Sequence, residues 1–485
     1  MTTRINRRRF LKASTTIVGA GYFHTATALS AARAADGPSG KVRFAGIGVG
    51  GKGSSDMDGA AQLGPVVAIC DIDDNTLGRK ANAKHDKTGE QYFLSAKRYA
   101  DYRKMLDEMH KDIDAVTVST PDHTHAPAAI MAMKLKKHVY VQKPLCHTVF
   151  EARRMREIAK EYGVQSQMGN QGSASNSLRR FVEIVQSGAL GQVTEAHVWT
   201  NRPAQYWKQA PDIVARPPEK PVPKNIHWDE FIGSAPMRPY GELEQGGRRG
   251  GSPYLPSGWR GWWDFGTGAM GDMACHTANM AFRALKLGAP TSVVADATDV
   301  NSETYPSSAR VTYQFPARGD MGPVKYVWYE GKRDGKKLLP PADIVAKALA
   351  LDPSTRRAGR LVDSGSILIG TKGMLYSPND NGTEAYFGPV EEFRNLQKTE
   401  PEKLPKNGKG DDGMKIEWVE AIKGGPAAYS NFDFAGPMVE AILLGNIAIR
   451  MNGTLLNWDS PNLKFINSPE ATKFVTKEYR KGFSI

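Results

Sequence analysis

The chain has 485 residues, with 64 Lys and Arg against 51 Asp and Glu, so its formal net charge at pH 7 is +13. Six of the basic residues lie in residues 1–34, which contain no acidic residue, so 13 less 6, or +7, remains for the rest of the chain. This excess is mild, and no basic run is interleaved with aromatic residues, which argues against nucleic acid as a partner. The length suffices for two domains with sizeable cores.

The N-terminal segment predicts an export signal. Residues 7–12 (RRRFLK) precede a weakly apolar run, and residues 32–34 (ARA) offer an A-x-A cleavage site. This order is typical of a twin-arginine signal peptide over residues 1–34, with a basic amphipathic helix or a membrane anchor as the alternative. Because glycines and a histidine interrupt the apolar run, a stable membrane span is not expected. We therefore expect a periplasmic protein with no membrane insertion after removal of the signal.

Residues 42–71 carry the pattern of a dinucleotide-binding βαβ unit. A short apolar run precedes Gly46, Gly48 and Gly51, which have G-x-G-x-x-G spacing. In this interpretation Gly46 permits the tight turn, Gly48 the approach of a pyrophosphate and Gly51 the close packing of the following helix. The N–H groups at the N-terminus of that helix would bind the phosphates. The alternative is a flexible glycine-rich turn.

Asp71 closes the second apolar run, twenty residues after Gly51. At this position a carboxylate accepts hydrogen bonds from the ribose hydroxyls and repels a 2′-phosphate. The sequence therefore favours NAD over NADP as the cofactor. A helix N-cap or a loop carboxylate is the alternative role for Asp71, but neither explains its register.

Strands alternate with helices as far as residue 168, which predicts a doubly wound parallel sheet. In such sheets the ligand lies against loops that follow the carboxyl ends of the strands. Two of these loops contribute candidate cofactor-binding residues. They are Thr120, Pro121 and His123 in the first loop, and Gln142 and Lys143 in the second.

The histidines and cysteines of this region do not predict a metal site. His123 and His125 form an H-x-H pattern, but the spacing implies no third ligand, so we expect a nicotinamide-side contact for His123 and a structural role for His125. Cys70, Cys146 and Cys275 are odd in number and scattered, which gives no disulfide framework. We expect them to be small buried apolar residues.

Beyond residue 169 the pattern changes to alternating, aromatic-rich strands such as residues 310–315 and 324–329. These strands suit an antiparallel sheet with one covered face. Before them, residues 201–263 form a long segment rich in Pro, Gly and Trp, and a loop of this length is usually functional. Its tryptophans suit either sugar stacking or a hydrophobic core. They are Trp207, Trp228, Trp259, Trp262 and Trp263.

Together these motifs resemble the Gfo/Idh/MocA family of pyridine-nucleotide oxidoreductases over nearly the whole mature chain. The matching segments are residues 46–51 (GIGVGG), 69–71 (ICD), 119–125 (STPDHTH), 141–144 (VQKP) and 268–276 (GAMGDMACH). The resemblance implies a Rossmann domain over residues 35–168 and a substrate-binding α+β domain over residues 169–485, built on an open, mainly antiparallel sheet. Gln142 replaces the glutamate that the family usually has at this position.

Three residues are candidates for catalysis. Asp272 and His276 are spaced i, i+4 and therefore share one face of a helix, although such a pair is often only a surface or capping pair. The resemblance implies that both contact the substrate and that Lys143 lies near the nicotinamide and the reacting oxygen. We expect His276 to move the hydroxyl proton and Lys143 to stabilise the developing alkoxide. Asp272 would orient the substrate or the imidazole.

The predicted function is NAD-dependent oxidation or reduction of a hydroxyl group on a sugar or sugar derivative. Because an exported protein would lose a dissociable NAD, we expect a tightly held cofactor that is restored within each cycle. Two alternatives stay open: glycoside cleavage through transient oxidation and elimination, and a non-catalytic sensor of nucleotide or sugar. The resemblance also implies a homo-oligomer formed through the C-terminal sheet.

Overall fold

The computed structural model describes residues 40–85, 88–202, 207, 209–243, 251–352, 354, 358–393 and 400–485. The predicted signal over residues 1–34 therefore lies outside the described residues, as do parts of the segment 201–263. The described residues form two sheets, one from each of the two parts of the chain that the sequence distinguishes.

The first sheet has six parallel strands in the order β3-β2-β1-β4-β5-β6. The strands are β1 (Phe44–Ile47), β2 (Val66–Cys70), β3 (Lys97–Tyr99), β4 (Ala115–Val118), β5 (His138–Val141) and β6 (Ser166–Met168). The helices that follow them are α1 (Lys52–Ala61), α2 (Asp74–Ala81), α3 (Tyr102–Met109), α4 (Asp122–Lys134), α5 (Val149–Glu161) and α6 (Asn176–Gln186). This is the predicted doubly wound sheet, and its order reverses between β1 and β4, the point at which such folds bind ligands.

Side chains at the helix N-termini explain where several of these helices begin. Helix α5 starts with a capping box, in which the Thr148 hydroxyl accepts from the Glu151 N–H and the Glu151 carboxylate accepts from the Thr148 N–H. Asp73 and Asp101 cap helices α2 and α3 in a similar way. Helix α1 differs, because Gly51 at its N-cap offers no side chain. Its first turn is therefore open to a ligand such as a phosphate.

The second sheet has ten strands and lies on the path β14-β13-β12-β7-β10-β9-β8-β15-β16, with β11 paired to β10. The strands are β7 (Val193–Thr200), β8 (Ser292–Thr298), β9 (Ser308–Phe315), β10 (Val324–Arg333), β11 (Lys336–Lys337), β12 (Ser364–Gly370), β13 (Met374–Ser377), β14 (Tyr386–Gly388), β15 (Leu456–Asp459) and β16 (Lys464–Phe465). Strand β7 pairs with β10 in parallel, and the other described pairs are antiparallel. The expectation of an open, mainly antiparallel second sheet is confirmed.

Helices cover both faces of this second sheet. The helices in this part of the chain, not all of which touch the second sheet, are α7 (Trp228–Ile232), α8 (Gly268–Thr277), α9 (Asn279–Ala284), α10 (Ala342–Leu351), α11 (Val390–Phe393), α12 (Gly410–Ile422), α13 (Phe432–Arg450) and α14 (Pro469–Thr472), with 3₁₀ turns at Gly258–Gly261 and Lys473–Val475. Helices α8 and α13 pack on each other and on one face. On the other face, Ile344 and Ala348 of helix α10 pack with Trp199, Val327 and Tyr329 of the strands.

Helix α13 is the one helix among the described residues that is long and apolar enough to cross a membrane, and 83% of its most apolar window is buried inside the protein. It packs on helix α5, where Arg153 donates hydrogen bonds of 2.8 and 2.7 Å to the two carboxylate oxygens of Glu440. Its sequence is therefore that of a core helix, which joins the second part of the chain to the first.

Where it is described, the segment 201–263 is folded. It contains helix α7 and the 3₁₀ turn at Gly258–Gly261, and most of its described aromatic residues form a small hydrophobic core together with Phe265. This core lies beside the first sheet, because Ile226 and Asp73 form an isolated antiparallel bridge. The aromatic content of the segment is thus largely explained by packing.

Candidate functional site

One continuous cavity of about 1020 Å³ runs from the glycine loop after strand β1 to helix α8. This volume is at the upper end of the range for small-molecule and cofactor sites. Its first end is lined by residues 47–52 and by Asp71, and its other end by Asp272 and His276. The cavity therefore joins the predicted nucleotide loop to the predicted catalytic pair.

The glycine motif that the structure uses begins two residues later than the motif predicted from the sequence. Gly48 has φ +76° and lies so close to strand β4 that a Cβ would be 2.7 Å from the Ser119 carbonyl oxygen. A Cβ at Gly53, in the first turn of helix α1, would overlap the carbonyl group of Gly48, whereas one at Gly51 would meet nothing within 4 Å. The close packing assigned to Gly51 is therefore wrong, and Gly53 has that role.

The prediction that Gly46 binds the cofactor is also corrected. It lies within strand β1 and is not among the residues that line the cavity. A Cβ there would be 2.5 Å from the sulfur of Met57, so its smallness serves the packing of helix α1 on the strand. Gly48, Gly50 and Gly53 form a second, overlapping G-x-G-x-x-G pattern in the sequence, which was the available signal for the register that the structure uses.

Asp71 lines the cavity just after strand β2. Its Oδ2 accepts from the Val49 N–H at 2.9 Å and its Oδ1 from the Asp73 N–H at 3.1 Å. Burial raises its pKa, and these backbone hydrogen bonds oppose the rise. Asp73, not Asp71, caps the next helix. The side chain of Arg79 lines the same end of the cavity, where it donates to the Thr76 hydroxyl at 2.8 Å.

The loops after strands β4 and β5 bring four more of the predicted residues to the cavity, namely Thr120, Pro121, Gln142 and Lys143. His123 does not reach it. Its Nε2 lies 2.8 Å from the Phe231 carbonyl oxygen and its Nδ1 3.2 Å from that of Phe265, and the ring is fully buried. The predicted nicotinamide-side contact of His123 is wrong because helix α4 turns this ring towards the segment 201–263.

The ring of His125 is also buried between backbone carbonyl groups, those of Pro144 at 2.8 Å and Thr120 at 2.9 Å. Burial lowers the pKa of His125 to about 4, so the ring is neutral and donates from only one nitrogen. It tethers the two cavity loops to each other, which is the structural role expected from the sequence. The three cysteines are free and buried, and burial raises the pKa of each thiol.

Lys143 and Asp272 meet across the two parts of the chain. The Nζ of Lys143 lies 2.7 Å from Asp272 Oδ1 and 3.0 Å from the Asp272 carbonyl oxygen. Arg260 Nε donates to the same Oδ1 at 3.2 Å, and its guanidinium lies over the Trp259 ring. Burial alone would raise the pKa of Asp272, but the charges of Lys143 and Arg260 outweigh it and lower that pKa well below its usual range. Asp272 is thus an ionised carboxylate that two cations contact.

His276 follows Asp272 by one helical turn and lines the cavity. Burial and then the charge of Lys143 lower its pKa to about 3, so the ring is neutral at ordinary pH. Its Nδ1 is buried and has no hydrogen-bond partner among the described residues. Since the Asp272 carboxylate oxygen Oδ1 is held by Lys143 and Arg260, the structure gives no sign that Asp272 orients the imidazole.

Sequence reasoning missed the residues that close this end of the cavity. Arg202, just after strand β7, donates to Asp380 Oδ2 at 2.6 Å, and both line the cavity together with Asn381. No spacing rule links these positions, since they come from separate loops. Of the five tryptophans in the segment 201–263, the cavity is lined by Trp259. The others are almost completely buried in hydrophobic clusters.

Comparison with protein families identifies both parts of the chain. Residues 14–170 match the Gfo/Idh/MocA oxidoreductase family, NAD-binding Rossmann fold, and residues 174–321 match the C-terminal alpha/beta domain of the same oxidoreductase family. The glycine cradle, the uncapped first turn of helix α1 and the carboxylate of Asp71 suit such a dinucleotide.

Individual relatives agree with this assignment over part of the chain. An inositol 2-dehydrogenase of Salmonella paratyphi B is 30% identical over 133 residues, which are 27% of this chain and 37% of that protein. A glycosyl hydrolase family 109 protein of Shewanella pealeana is 31% identical over 209 residues, 39% of this chain and 44% of the relative. The matched regions thus span less than half of these curated relatives.

Among solved structures, the WlbA dehydrogenase of Bordetella pertussis in complex with NADH and UDP-GlcNAcA superposes with a TM-score of 0.56. It is 15% identical in sequence, and the match covers 86% of this chain and 99% of that one. At this identity the likeness shows the fold alone.

Proposed function

This chain belongs to the Gfo/Idh/MocA oxidoreductase family, and from that premise we propose that it transfers hydride between a hydroxyl-bearing carbon of a sugar or sugar derivative and NAD. The observation that carries the proposal is the meeting of Lys143 and Asp272 at 2.7 Å in the cavity that also contains the nucleotide loop and His276. A lysine from one part of the chain and a histidine from the other can thereby face one ligand.

Each residue around this cavity has its own role in the proposed hydride transfer. NAD, when bound, supplies the hydride acceptor or donor. Lys143 presents a positive charge to the oxygen that becomes negative as its carbon is oxidised. His276 is neutral and can accept the proton of the hydroxyl group, and its lowered pKa makes it a weaker base than a free imidazole. Asp272 holds Lys143 and Arg260 in place, so its role is to position the cations.

The substrate end of the cavity favours a polar, hydroxyl-rich ligand. Arg202, Asp380 and Asn381 offer donors and acceptors in this lining, and Trp259 adds an aromatic ring. Sugars combine these two properties, since their hydroxyl groups hydrogen-bond and their ring faces stack on aromatic side chains. This lining supports the proposed class of substrate, not one particular sugar.

We also propose that NAD stays bound through the cycle, because the predicted twin-arginine signal would send the protein to the periplasm, where a lost cofactor is not replaced. Mass spectrometry of the native protein from cells tests this part. We expect one NAD per chain after gel filtration. A purified protein that neither retains nor takes up NAD(H) or NADP(H) would contradict the proposal as a whole.

Glycoside cleavage is the second candidate function. The likeness to glycosyl hydrolase family 109 proteins favours it, since oxidation of a ring carbon acidifies its neighbour and permits elimination before the hydride returns. The same three residues would serve both reactions. Incubation with aryl glycosides and with free sugars, without added NAD, separates the two reactions. Released aglycone indicates cleavage. An oxidised sugar, together with the absorbance of NADH, indicates dehydrogenation. A sensor would do neither.

A further inference from the structure

The environment of Gln142 is set by a buried acid on helix α1. The side chain of Asp56 is fully buried, and its Oδ2 accepts hydrogen bonds from Gln142 Nε2 at 2.8 Å and from Ser119 Oγ at 2.9 Å. Its Oδ1 faces Lys52 Nζ at 3.3 Å and Lys415 Nζ at 3.4 Å. Since an ionised carboxylate can only accept, the Gln142 amide must turn its NH₂ group towards Asp56.

Gly169 holds the same amide from the other side. A Cβ at position 169 would lie 2.5 Å from Nε2 and 2.8 Å from Cδ of Gln142, so the amide lies directly against the bare Cα. The backbones on both sides are fixed, because Gly169 N donates to Val141 O and Gln142 N donates to Val118 O, each at 2.8 Å. The amide therefore has no room to swing away, and its Oε1 lies towards the Lys143 N–H, 3.4 Å away.

We infer that Asp56 is a positioning residue for the coenzyme site: it sets the polarity of the Gln142 amide, so that a neutral carbonyl oxygen beside Lys143 faces the cavity. The inference rests on the proposed function in taking Lys143 as catalytic, and it adds a reason for glutamine at position 142. A glutamate there would place a second carboxylate against Asp56, and two carboxylates at that distance resist ionising together. The pair keeps a single negative charge.

Charged groups from three elements face this pair. Lys52 belongs to the helix of Asp56, and Lys415 comes from helix α12, whose Asp411 accepts from Lys52 at 2.8 Å. Lys143 follows Gln142 directly on the cavity side. Lys52 and Lys415 together balance the charges of Asp56 and Asp411, so a second carboxylate at position 142 would have no cation of its own on the buried side.

Three variants test the inference: Gln142→Glu, Asp56→Asn, and the exchanged pair that carries both changes. In protein freed of NAD, we expect the unfolding free energy of Gln142→Glu to fall relative to the wild type as pH rises from 5 to 8. The reason is that two facing carboxylates hold a proton in the folded state that the unfolded chain releases. The exchanged pair has one carboxylate and should regain the wild-type pH dependence. Gln62 is exposed just after helix α1, so Gln62→Glu is the control for the added negative charge.

NAD affinity, measured by calorimetric titration, is the second readout. We expect Gln142→Glu to weaken NAD binding at least tenfold at pH 8 and less at pH 5. The exchanged pair should also bind NAD more weakly than the wild type at both pH values, because it carries a carboxylate and not a neutral carbonyl oxygen at position 142. Gln142→Met adds no charge and covers the case in which Gln142→Glu does not fold. It should weaken NAD binding about tenfold at both pH values, and wild-type affinity in this variant would overturn the inference.

Two results with the charged variants would also overturn it: a wild-type pH dependence of unfolding in Gln142→Glu, or an exchanged pair whose unfolding keeps the pH dependence of Gln142→Glu. These readouts need no turnover. A wild-type protein that binds NAD but acts on no sugar would contradict the proposed function, and the stability and binding data would still decide the role of Asp56.

Discussion

Single residues in this cavity are tuned mainly by charge and burial. Asp272 shows this best: burial works against its ionised form, yet Lys143 at 2.7 Å and Arg260 at 3.2 Å keep it ionised. For His276, one turn later, burial and the charge of Lys143 outweigh the Asp272 carboxylate and lower the pKa to about 3, so the ring is neutral. The two neighbours on one helix face therefore have opposite properties, an anion that anchors cations and a neutral ring that can take a proton.

Replacing His276 tests its place in proton transfer. We expect His276→Gln to lower kcat about 10²- to 10⁴-fold, the usual contribution of a general base, with NAD binding kept because the nucleotide loop is untouched. Stopped-flow reduction of bound NAD measures the step directly. His110→Gln, at the end of helix α3 and away from the cavity, serves as the matched control. Wild-type hydride transfer in His276→Gln would remove this residue from the reaction.

Asp272→Asn tests the anchoring role of the carboxylate. The change leaves Lys143 and Arg260 without their shared counter-ion in a buried place, so we expect a loss of about 3 kcal/mol in the free energy of unfolding, together with lower turnover. Asp433→Asn removes an exposed partner of Arg156, and there we expect less than about 1 kcal/mol. Equal effects in the two variants, measured by urea unfolding, would show that the buried pair has no special importance.

At the scale of elements, the site depends on close approaches that only glycine allows. Helix α1 can reach strand β1 because Gly46 leaves space for Met57, and its first turn can reach the loop because Gly53 leaves space for the Gly48 carbonyl. Helix α8 is held in a comparable way, since Gly445 of helix α13 leaves space for Met270. The geometry of the cavity is therefore fixed by how tightly helices pack on its two sides.

Gly53→Ala tests the revised register of the glycine loop. Its methyl group would overlap the backbone of Gly48, so we expect a loss of about 1–3 kcal/mol in stability and a clear loss of NAD affinity. Gly78→Ala, in helix α2, is the control: its methyl group meets open space and should raise stability by up to about 1 kcal/mol. Thermal unfolding with and without NAD measures both effects. NAD affinity unchanged in Gly53→Ala would refute this register.

At the scale of the whole molecule, buried ionisable groups link stability to pH. Burial lowers the pKa of six histidines among the described residues, in four of them to about 3 or 4: His123, His125, His138, His147, His197 and His276. Below pH 6.5 these histidines are protonated in the unfolded chain but stay neutral in the folded protein, so the free energy of unfolding falls as pH falls. Asp122 and Glu330 act the other way between about pH 4 and 7, because burial raises their pKa to about 7. Asp71 acts in the same direction as these two acids, because burial raises its pKa as well.

The six histidines outweigh the three acids, which predicts a protein that acid destabilises. Between pH 6 and pH 4.5 we expect the free energy of unfolding to fall by on the order of 4 kcal/mol per pH unit, from about three net protons at about 1.4 kcal/mol each. Urea unfolding at a series of pH values measures this slope. Stability that is level or rising towards pH 4.5 would contradict it.

The outer surface of the second sheet bears on assembly. Helix α10 of the chain itself packs over Trp199, Val327 and Tyr329 on that face, so part of the sheet through which a homo-oligomer was expected is covered internally. The homo-oligomer remains a prediction, as do the periplasmic location and the domain boundaries at residues 34 and 168. Light scattering of the purified protein would settle the number of subunits.

The sequence by itself determined the alternation of strands and helices in the first part of the chain, the two sheet types, the loops that carry Thr120, Gln142 and Lys143, and the helical pairing of Asp272 with His276. Each of these follows from periodicity, caps or spacing within a few tens of residues. Only the tertiary structure decided that His123 turns away from the cavity, that Gly53 and not Gly51 makes the close contact, and that Asp56, Arg260 and Arg202 surround the site. The reason is physical: Lys143 meets Asp272 across 129 positions, Gln142 meets Asp56 across 86 and Lys52 meets Asp411 across 359, and no local rule constrains pairs so far apart.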